Sequence, residues 1–303
     1  MSDTIDLFRQ AIADAGIEPP DSIEADGLLH RFSTNGRSSD KSGWYMLHLD
    51  GVAAGGFGCW RAGLQSTWCA KASDTMTDTE RAGHRDRIRA MKAQRETEQV
   101  QRHQQGRETA AALWRLADPA NTAHAYLAAK GVQPHGIRSY GACLLIPLRD
   151  TLGTLHSLQT ITPGGHKQFH PGGRVVGCYY AIGQPDGVLV VCEGFATGAS
   201  IHEATGYAVA VAFNAGNLQA VAIALHTRYP ALRLIVAADD DHRTEGNPGR
   251  SAAAQAALSV GGSVAVPLFP ADRPPKATDF NDLHQLAGLE AVRILFEELE
   301  VSP

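Results

Sequence analysis

The sequence has few cysteines and no long apolar run. Its 303 residues include five cysteines, an odd number without any CxxC pair, which argues against a disulfide framework and means that no zinc is expected. The longest apolar stretches, such as residues 207–213, are far too short to cross a bilayer. The first residues, MSDTIDLFRQ, carry charges where a signal peptide needs an apolar segment. We therefore expect a cytoplasmic protein without a membrane segment.

The chain as a whole also lacks a large excess of one charge, although its C-terminal part has one. The 27 lysine and arginine residues nearly balance the 32 acidic residues, which leaves a net charge of −5. Residues 186–303 carry 7 basic and 14 acidic side chains, a net charge of −7, and residues 1–185 carry the remaining 20 and 18, a net charge of +2. Acidity in the C-terminal part indicates either an ordinary solvated surface or a site that holds cations.

Two segments precede the more regular part of the chain. Residues 1–77 contain short alternating runs such as GWYMLHL at 43–49, which predict a small β-rich N-terminal module. Residues 78–107 are predominantly basic and have almost no apolar stripe, although they are rich in helix-forming residues. This pattern is typical of a solvated helical connector, and it also fits a basic arm that contacts phosphates.

The rest of the chain is predicted to hold two further domains. Residues 108–186 combine amphipathic helices with strand-like segments, as in a small basic α+β subdomain. In residues 187–303, strands alternate with helices, which predicts an α/β fold with a parallel sheet covered on both faces. Four strands are expected, at residues 188–192, 208–213, 232–238 and 263–266. Ligands of such sheets bind at the carboxyl ends of the strands.

Acidic residues follow three of these strands. Glu193 comes directly after the first, a run of three aspartates after the third, and the segment TDFND after the fourth. Taken singly, each of these is usually a turn or a solvated loop, but their joint position predicts that they meet at one edge. Hard oxygen ligands without a His–Cys cluster indicate Mg²⁺ or Mn²⁺, which can stabilise phosphoryl transfer. The candidate metal ligands are Glu193, Asp239, Asp241, Asp279, Asn281 and Asp282.

The order of these motifs resembles a known family. EGFATGAS, IVAADDDH, NPG and TDFND follow one another as in the Toprim domain of primases and topoisomerases, and the chain resembles the stand-alone or plasmid- and phage-borne primases of the TraC type. The resemblance covers about residues 144–293. The segment GGHKQFHPGGRVVG is similar to the basic subdomain that precedes Toprim in bacterial replicative primases, whereas the N-terminal module stands in the place of their zinc ribbon without its cysteines.

The resemblance also implies roles for single residues. Glu193 matches the Toprim glutamate, the proposed general acid/base and a metal ligand. Asp239 and Asp241 match the metal-binding Asp-x-Asp motif. Asp279 and Asn281 fall on the later acidic positions of primases.

One position departs from the family pattern. Replicative primases have a further aspartate four residues after the glutamate, where this chain has Thr197. The change either weakens one metal site or leaves Asp282 to compensate.

Four more residues are candidates for contacts with nucleic acid or nucleotide. Lys167, Arg174 and Arg149 lie in or near turns of the basic subdomain, where they would hold the template or an incoming triphosphate opposite the metals. The alternative is scattered surface charge, with Arg174 in a structural ion pair. The glycine pairs at 164–165 and 172–173, which let a nucleic-acid strand approach the backbone closely, favour the functional interpretation. Asn247 precedes a predicted helix, so it caps that helix or directs its N–H groups to a bound phosphate.

Three functions remain open from the sequence. The resemblance implies a DNA primase, which makes short RNA primers on a single-stranded DNA template from ribonucleoside triphosphates. A Toprim nuclease or strand-cleaving enzyme is a second class, and a non-catalytic module that binds single-stranded DNA is a third. No GxxxxGK[ST] loop occurs in the sequence, so any helicase partner would be a separate protein.

Overall fold

The computed structural model describes residues 2–34, 36, 40–59, 62–71 and 77–301. The chain forms two compact units, Met1–Thr97 and Glu98–Pro303. The boundary falls inside a single helix, Asp78–Leu116, which continues past the division predicted at residue 107. The finer division at residues 77, 107 and 186 stays a prediction.

The first unit is a helix packed on a small antiparallel sheet. It contains α1 (Ser2–Asp14), β1 (His30–Phe32), β2 (Gly43–His48), β3 (Ala54–Cys59) and β4 (Leu64–Cys69), with the strands in sequence order. β2 covers most of the strand-like run at residues 43–49 and forms a hairpin with β3. The sequence analysis missed α1, whose Phe8 and Ile12 are fully buried among side chains of the sheet.

The second unit begins with an antiparallel sheet. Its elements are the rest of α2 (Asp78–Leu116), α3 (Ala125–Lys130), β5 (Asp118–Pro119), β6 (Arg138–Tyr140), β7 (Cys143–Arg149), β8 (Leu155–Ile161) and β9 (Lys167–Phe169). The five strands pair in sequence order. One face of this sheet packs against the end of α2, where Ala110 and Ala117 contact Leu145 and Leu158.

The predicted parallel sheet follows and is confirmed. It is built from β10 (Tyr180–Ile182), β11 (Val188–Cys192), α4 (Phe195–Thr205), β12 (Ala208–Val211), α5 (Ala215–Arg228), β13 (Arg233–Ala237), α6 (Pro248–Val260), β14 (Ser263–Ala265) and α7 (Phe280–Val301). The strand order is β10-β12-β11-β13-β14, and only β10 runs antiparallel to its neighbour.

Both faces of the parallel sheet are buried, which explains its continuous apolar strands. Val190 and Cys192 point into a core shared with α4, α7 and the antiparallel sheet. Leu189 and Val191 point to the other side, into a core formed with α5 and α6. Because both faces are covered, the carboxyl edge of the strands is where polar side chains can collect. Within the described residues, no helix combines the length and the apolar character that crossing a membrane requires.

Candidate functional site

Three chain segments bring carboxylates to the carboxyl edge of the parallel sheet. β11 and β13 are adjacent parallel strands with Val191 opposite Val236, so Glu193 and Asp239, each just beyond its strand, come side by side. The third segment is joined to the second by a hydrogen bond of 2.7 Å from the backbone N–H of Asp240 to the carbonyl of Thr278. The predicted convergence of these segments is therefore present in the structure.

The carboxylates of this edge oppose one another's ionisation. Burial, together with the charge of Asp241, raises the pKa of Glu193 to about 7. Burial, together with the charges of Glu193 and Asp279, raises the pKa of Asp239 to about 8. The pKa of Asp279 is also raised, by burial and then by Asp282. At neutral pH the cluster therefore retains protons that a bound cation would displace.

Two oxygens of the cluster fit a metal ion. Glu193 Oε1 and Asp239 Oδ1 are buried and have no hydrogen-bond partner in the described part of the chain. Buried polar atoms normally have a partner, and a hard cation would supply one for both of these carboxylates. In the part of the chain that the structure describes, no three ligand atoms of this cluster all lie within 4.8 Å of one another. The geometry is thus that of an open acidic site.

Asp241 is fixed by the start of α6. Its Oδ2 accepts a hydrogen bond of 3.1 Å from the N–H of Gly249, and its own N–H donates to Asn247 Oδ1 over 2.9 Å. A Cβ at Gly249 would lie 2.5 Å from the carbonyl oxygen of Asp239, so only glycine fits there. Asn247 also caps α6 by accepting from the N–H of Arg250. The structure thus has the helix cap that was one of the two interpretations of Asn247. A contact of Asn247 with a nucleotide stays a prediction.

Asp240, the middle aspartate, is engaged elsewhere. It is 9% exposed, and it accepts hydrogen bonds from Arg273 Nη1 over 2.6 Å and from Asn247 Nδ2 over 2.7 Å. Burial alone would raise the pKa of Asp240, but these two donors lower it below its usual value.

Asn281 and Asp282 are both used by the fold around the site. The amide of Asn281 is fully buried and donates to the carbonyl of Lys130 and to Ser200 Oγ, which ties α7 to α3 and α4. Asp282 Oδ2 accepts from the N–H of Thr278, and the N–H of Asp282 donates to Asp279 Oδ1, as in a capping box at the start of α7. Metal ligation by Asn281 and Asp282 stays a prediction.

Thr197 stands at the position where the resemblance implies an aspartate. It is 1% exposed in the first turns of α4, and its side chain hydrogen bonds with Asp279. This hydrogen bond lowers the pKa of Asp279 and so opposes the effect of burial. The residue therefore supplies a donor where an aspartate would add another negative charge.

The structure separates the predicted basic residues. Lys167 lies beside the acids: its ammonium lowers the pKa of Glu193 and of Asp239, and its Nζ would be 3.8 Å from a Cβ at Gly194. Arg149 is at the other end of the antiparallel sheet. Lys167 of β9 pairs with Ile161 of β8, which pairs with Leu144 of β7, and Arg149 is five residues from Leu144, roughly 16 Å along the strand.

The two arginines contact the turn between β7 and β8. Arg149 Nη1 donates to the carbonyl of Gly153 over 2.8 Å, and Arg174 Nη2 lies 3.4 Å from Asp150 Oδ2. Arg174 therefore has the structural ion pair that the sequence analysis left open. Nucleic-acid contacts of both arginines stay predictions.

A cavity of about 620 Å³ adjoins the acidic cluster. Lys130 and Lys167 line it together with Asp282, Gln285 and Tyr126, and the turn at residues 163–165 closes one side. Its volume is that of an ordinary small-molecule site.

Sequence reasoning missed the role of Asn217, which hydrogen bonds to the loop at residues 175–178. Asn217 is 2% exposed; its Oδ1 accepts from the N–H of Gly177, and its Nδ2 donates to the carbonyls of Val175, Cys178 and Ala212. It stands in the first turn of α5, whose N–H at Ala215 hydrogen bonds with the Glu193 carboxylate. The only sequence signal was an asparagine just after a predicted strand.

The described part of the first unit contains one cluster of side chains that could hold a metal ion. Glu24, Asp26 and His30 each offer a ligand atom within 4.8 Å of the others, and His30 Nε2 is already hydrogen bonded to Asp26 Oδ1 over 2.8 Å. Cys59 and Cys69 lie at opposite ends of the β3–β4 hairpin, where they pair with Leu64 and Ala54, so they cannot bind one ion together.

Comparison with known proteins identifies the domain that carries the acidic site. Residues 188–290 match the family described as Toprim domain. A DNA primase TraC of Escherichia coli is 35% identical over 305 residues, which cover 91% of this chain and 28% of that protein. A second DNA primase TraC of Escherichia coli is 35% identical over 283 residues, 86% of this chain and 19% of that protein. The chain thus spans less than a third of the length of these curated relatives.

Among solved structures, the primase fragment of the bacteriophage T7 primase-helicase protein matches 56% of this chain and 73% of its own, with a TM-score of 0.43 and 18% identity. This likeness is too weak to support a functional argument. The match at residues 188–290 and the identity over most of the chain show that the chain contains a Toprim domain and is related in sequence to DNA primase TraC.

Proposed function

We propose that this chain is the catalytic part of a DNA primase, which joins ribonucleotides into short RNA primers on a single-stranded DNA template. The observation that carries the proposal is the set of acidic residues at the edge of the Toprim sheet, in which Glu193 and Asp239 each have a buried oxygen without a hydrogen-bond partner among the described residues. The sequence identity to DNA primase TraC supports the same activity.

Glu193, Asp239, Asp241 and Asp279 are the proposed ligands of Mg²⁺ or Mn²⁺. The cation would neutralise the charge that develops on the reacting phosphate and stabilise the attacking and leaving oxygens. Glu193, with its pKa near 7, is suited to take the proton of the attacking hydroxyl as that oxygen bonds to the α-phosphorus and pyrophosphate leaves. Asp240, Asn247 and the start of α6 hold the ligands in place and do not react.

Lys167 and the cavity beside it are the proposed site of the incoming ribonucleoside triphosphate. The ammonium groups of Lys167 and Lys130 would meet the phosphates, while the acids lie next to them. Arg149 and Arg174, which lie at the β7–β8 turn, remain candidates for the template strand. A separate helicase, the absence of zinc and a cytoplasmic location also stay predictions.

The proposal is tested by primer synthesis on single-stranded DNA with four ribonucleotides and Mg²⁺ or Mn²⁺. The full chain should produce labelled oligoribonucleotides, and Asp239→Asn should abolish them. Asp118→Asn, which neutralises an exposed carboxylate in β5, is the matched control and should retain activity. Cleaved DNA without synthesis would instead indicate a nuclease, and DNA binding without either product would indicate an accessory module.

A further inference from the structure

Asp240 lies between the proposed metal ligands Asp239 and Asp241 and forms an ion pair of its own. Asp240 directs its carboxylate to Arg273, with 2.6 Å between Asp240 Oδ2 and Arg273 Nη1. Only 17% of the Arg273 side chain is exposed, and its guanidinium lies over the ring of Phe269 at 4.1 Å. An ion pair this well buried has an almost fixed geometry, unlike a pair at the surface.

Arg273 joins two of the three acidic segments. Its Nη1 and Nη2 donate to the carboxylate and the carbonyl of Asp240, and its Nε donates to the carbonyl of Ala277 over 2.8 Å. One planar guanidinium thus bridges the loop after β13 and the loop before α7, two residues away from Asp279. The bond from the N–H of Asp240 to the carbonyl of Thr278 continues the same connection.

This connection opposes a repulsion within the site. Asp239 and Asp279 stand on the two bridged loops, and each is a buried acid that disfavours the charge of the other. Without a bridge, the two loops would move apart once both carboxylates are ionised, because like charges repel. Among the described residues, Lys167 lowers the pKa of Asp239 and Lys130 lowers that of Asp279. We infer that Arg273 is a positioning residue, which holds the loops of Asp239 and Asp279 at the separation where both carboxylates can share a divalent cation. This inference rests on the metal site of the proposed function.

Simple electrostatics makes the opposite prediction. Arg273 is a positive charge near a cation site, so its removal should tighten cation binding if charge alone matters. Arg250 provides a matched comparison, because its Nη1 lies 3.8 Å from Asp240 Oδ1 but its side chain is 55% exposed. Arg250→Gln removes the same charge from the same aspartate and leaves the bridge to Ala277 intact.

The test is the binding of Mn²⁺ alone to the full chain, followed by the loss of the free-ion signal in electron paramagnetic resonance. For Arg273→Gln we expect an affinity about 10- to 100-fold lower than that of the natural chain, the range typical of residues that orient metal ligands. Arg273→Lys keeps the charge but cannot reach three acceptors at once, so its affinity should also fall, by about 10-fold. Arg250→Gln should bind Mn²⁺ as tightly as the natural chain or more tightly.

The outcomes separate this inference from the proposed function. If the natural chain binds no Mn²⁺, or Asp239→Asn binds it equally well, the metal site itself is wrong. If Asp239→Asn loses binding while Arg273→Lys and Arg273→Gln keep the natural affinity or exceed it, the site stands and the positioning role is overturned. Thermal unfolding without metal checks that each variant is folded, and Arg273→Lys decides the question alone if Arg273→Gln does not fold.

Discussion

Removing the acid at position 239 should stabilise the metal-free protein. The carboxyl of Asp239 ionises near pH 3.8 in an unfolded chain, but burial and the neighbouring Glu193 and Asp279 move its pKa to about 8 in the folded protein. Between these values the folded state binds one more proton than the unfolded state. Stability therefore falls as the pH rises, which is the reverse of the effect of an acid in an ion pair.

The size of this effect follows from the pH interval. Each pH unit between the two pKa values lowers the free energy of unfolding by about 1.36 kcal/mol. From pH 5 to pH 8 the loss from Asp239 alone is thus at most about 4 kcal/mol. Asparagine has nearly the same shape and does not titrate, so Asp239→Asn should show none of this loss. The advantage of the variant over the natural chain should grow by that amount across the interval.

Urea unfolding at pH 5, 6, 7 and 8 in the presence of a chelator measures the difference. Asp118→Asn is the matched control, because its side chain is exposed and its free energy of unfolding should stay within about 0.5 kcal/mol of the natural chain. Saturating Mn²⁺ should then reverse the order, because only the natural chain gains stability from the bound ion. A difference between Asp239→Asn and the natural chain that stays constant from pH 5 to pH 8 would refute the reasoning.

Three further substitutions test the surroundings of the site. Asn217→Ala removes the partner of the part-buried N–H of Gly177 and of the buried carbonyls of Cys178 and Ala212, and it leaves the carbonyl of Val175 with one donor instead of two. It should lower the free energy of unfolding in urea by about 3 kcal/mol, and a loss below about 1 kcal/mol would contradict this role. Gly249→Ala places a Cβ 2.5 Å from the carbonyl oxygen of Asp239. It should lower the free energy of unfolding by about 1–3 kcal/mol and weaken Mn²⁺ binding. An unchanged affinity for Mn²⁺ would show that the loop can move freely. Lys167→Gln removes a cation that lowers the pKa of Glu193. The acid limb of the pH–rate profile should therefore move to higher pH, and the KM for nucleotide should rise about tenfold. An unchanged profile would show that Lys167 does not influence the ionisation of the acids.

The convergence of the acids could be predicted because it depends on topology alone. Continuous apolar runs such as residues 188–192 specify buried parallel strands, and parallel strands end at one edge. Glu193 and Asp239 therefore had to meet, whatever the details of their side chains. The family resemblance identified the same residues independently.

The residues that support the site could not be predicted in the same way. Arg273 and Asp240 are 33 positions apart, and nothing in the local sequence of either indicates the other. Asn217 resembles an ordinary cap at the start of a helix, although its amide serves a loop about 40 residues earlier. Arg149, Lys167 and Arg174 are close in sequence, yet strand register carries Arg149 away from the acids. Such contacts are set by packing between distant segments, which local patterns do not encode.

The three consecutive aspartates at 239–241 have different partners, and this difference explains how the acidic site keeps its geometry. A cluster made of carboxylates alone would force its loops apart, because burial and neighbouring carboxylates both disfavour the charges of Glu193, Asp239 and Asp279. The middle aspartate instead faces Arg273, so one of the three negative charges becomes an attachment point for the loop of Asp279. Thr197 acts in the same direction, since it gives Asp279 a hydrogen-bond donor where the family pattern has an aspartate. The site thus has fewer charges to hold than the family pattern suggests, and its geometry depends on neutral donors and one arginine outside the group of ligands.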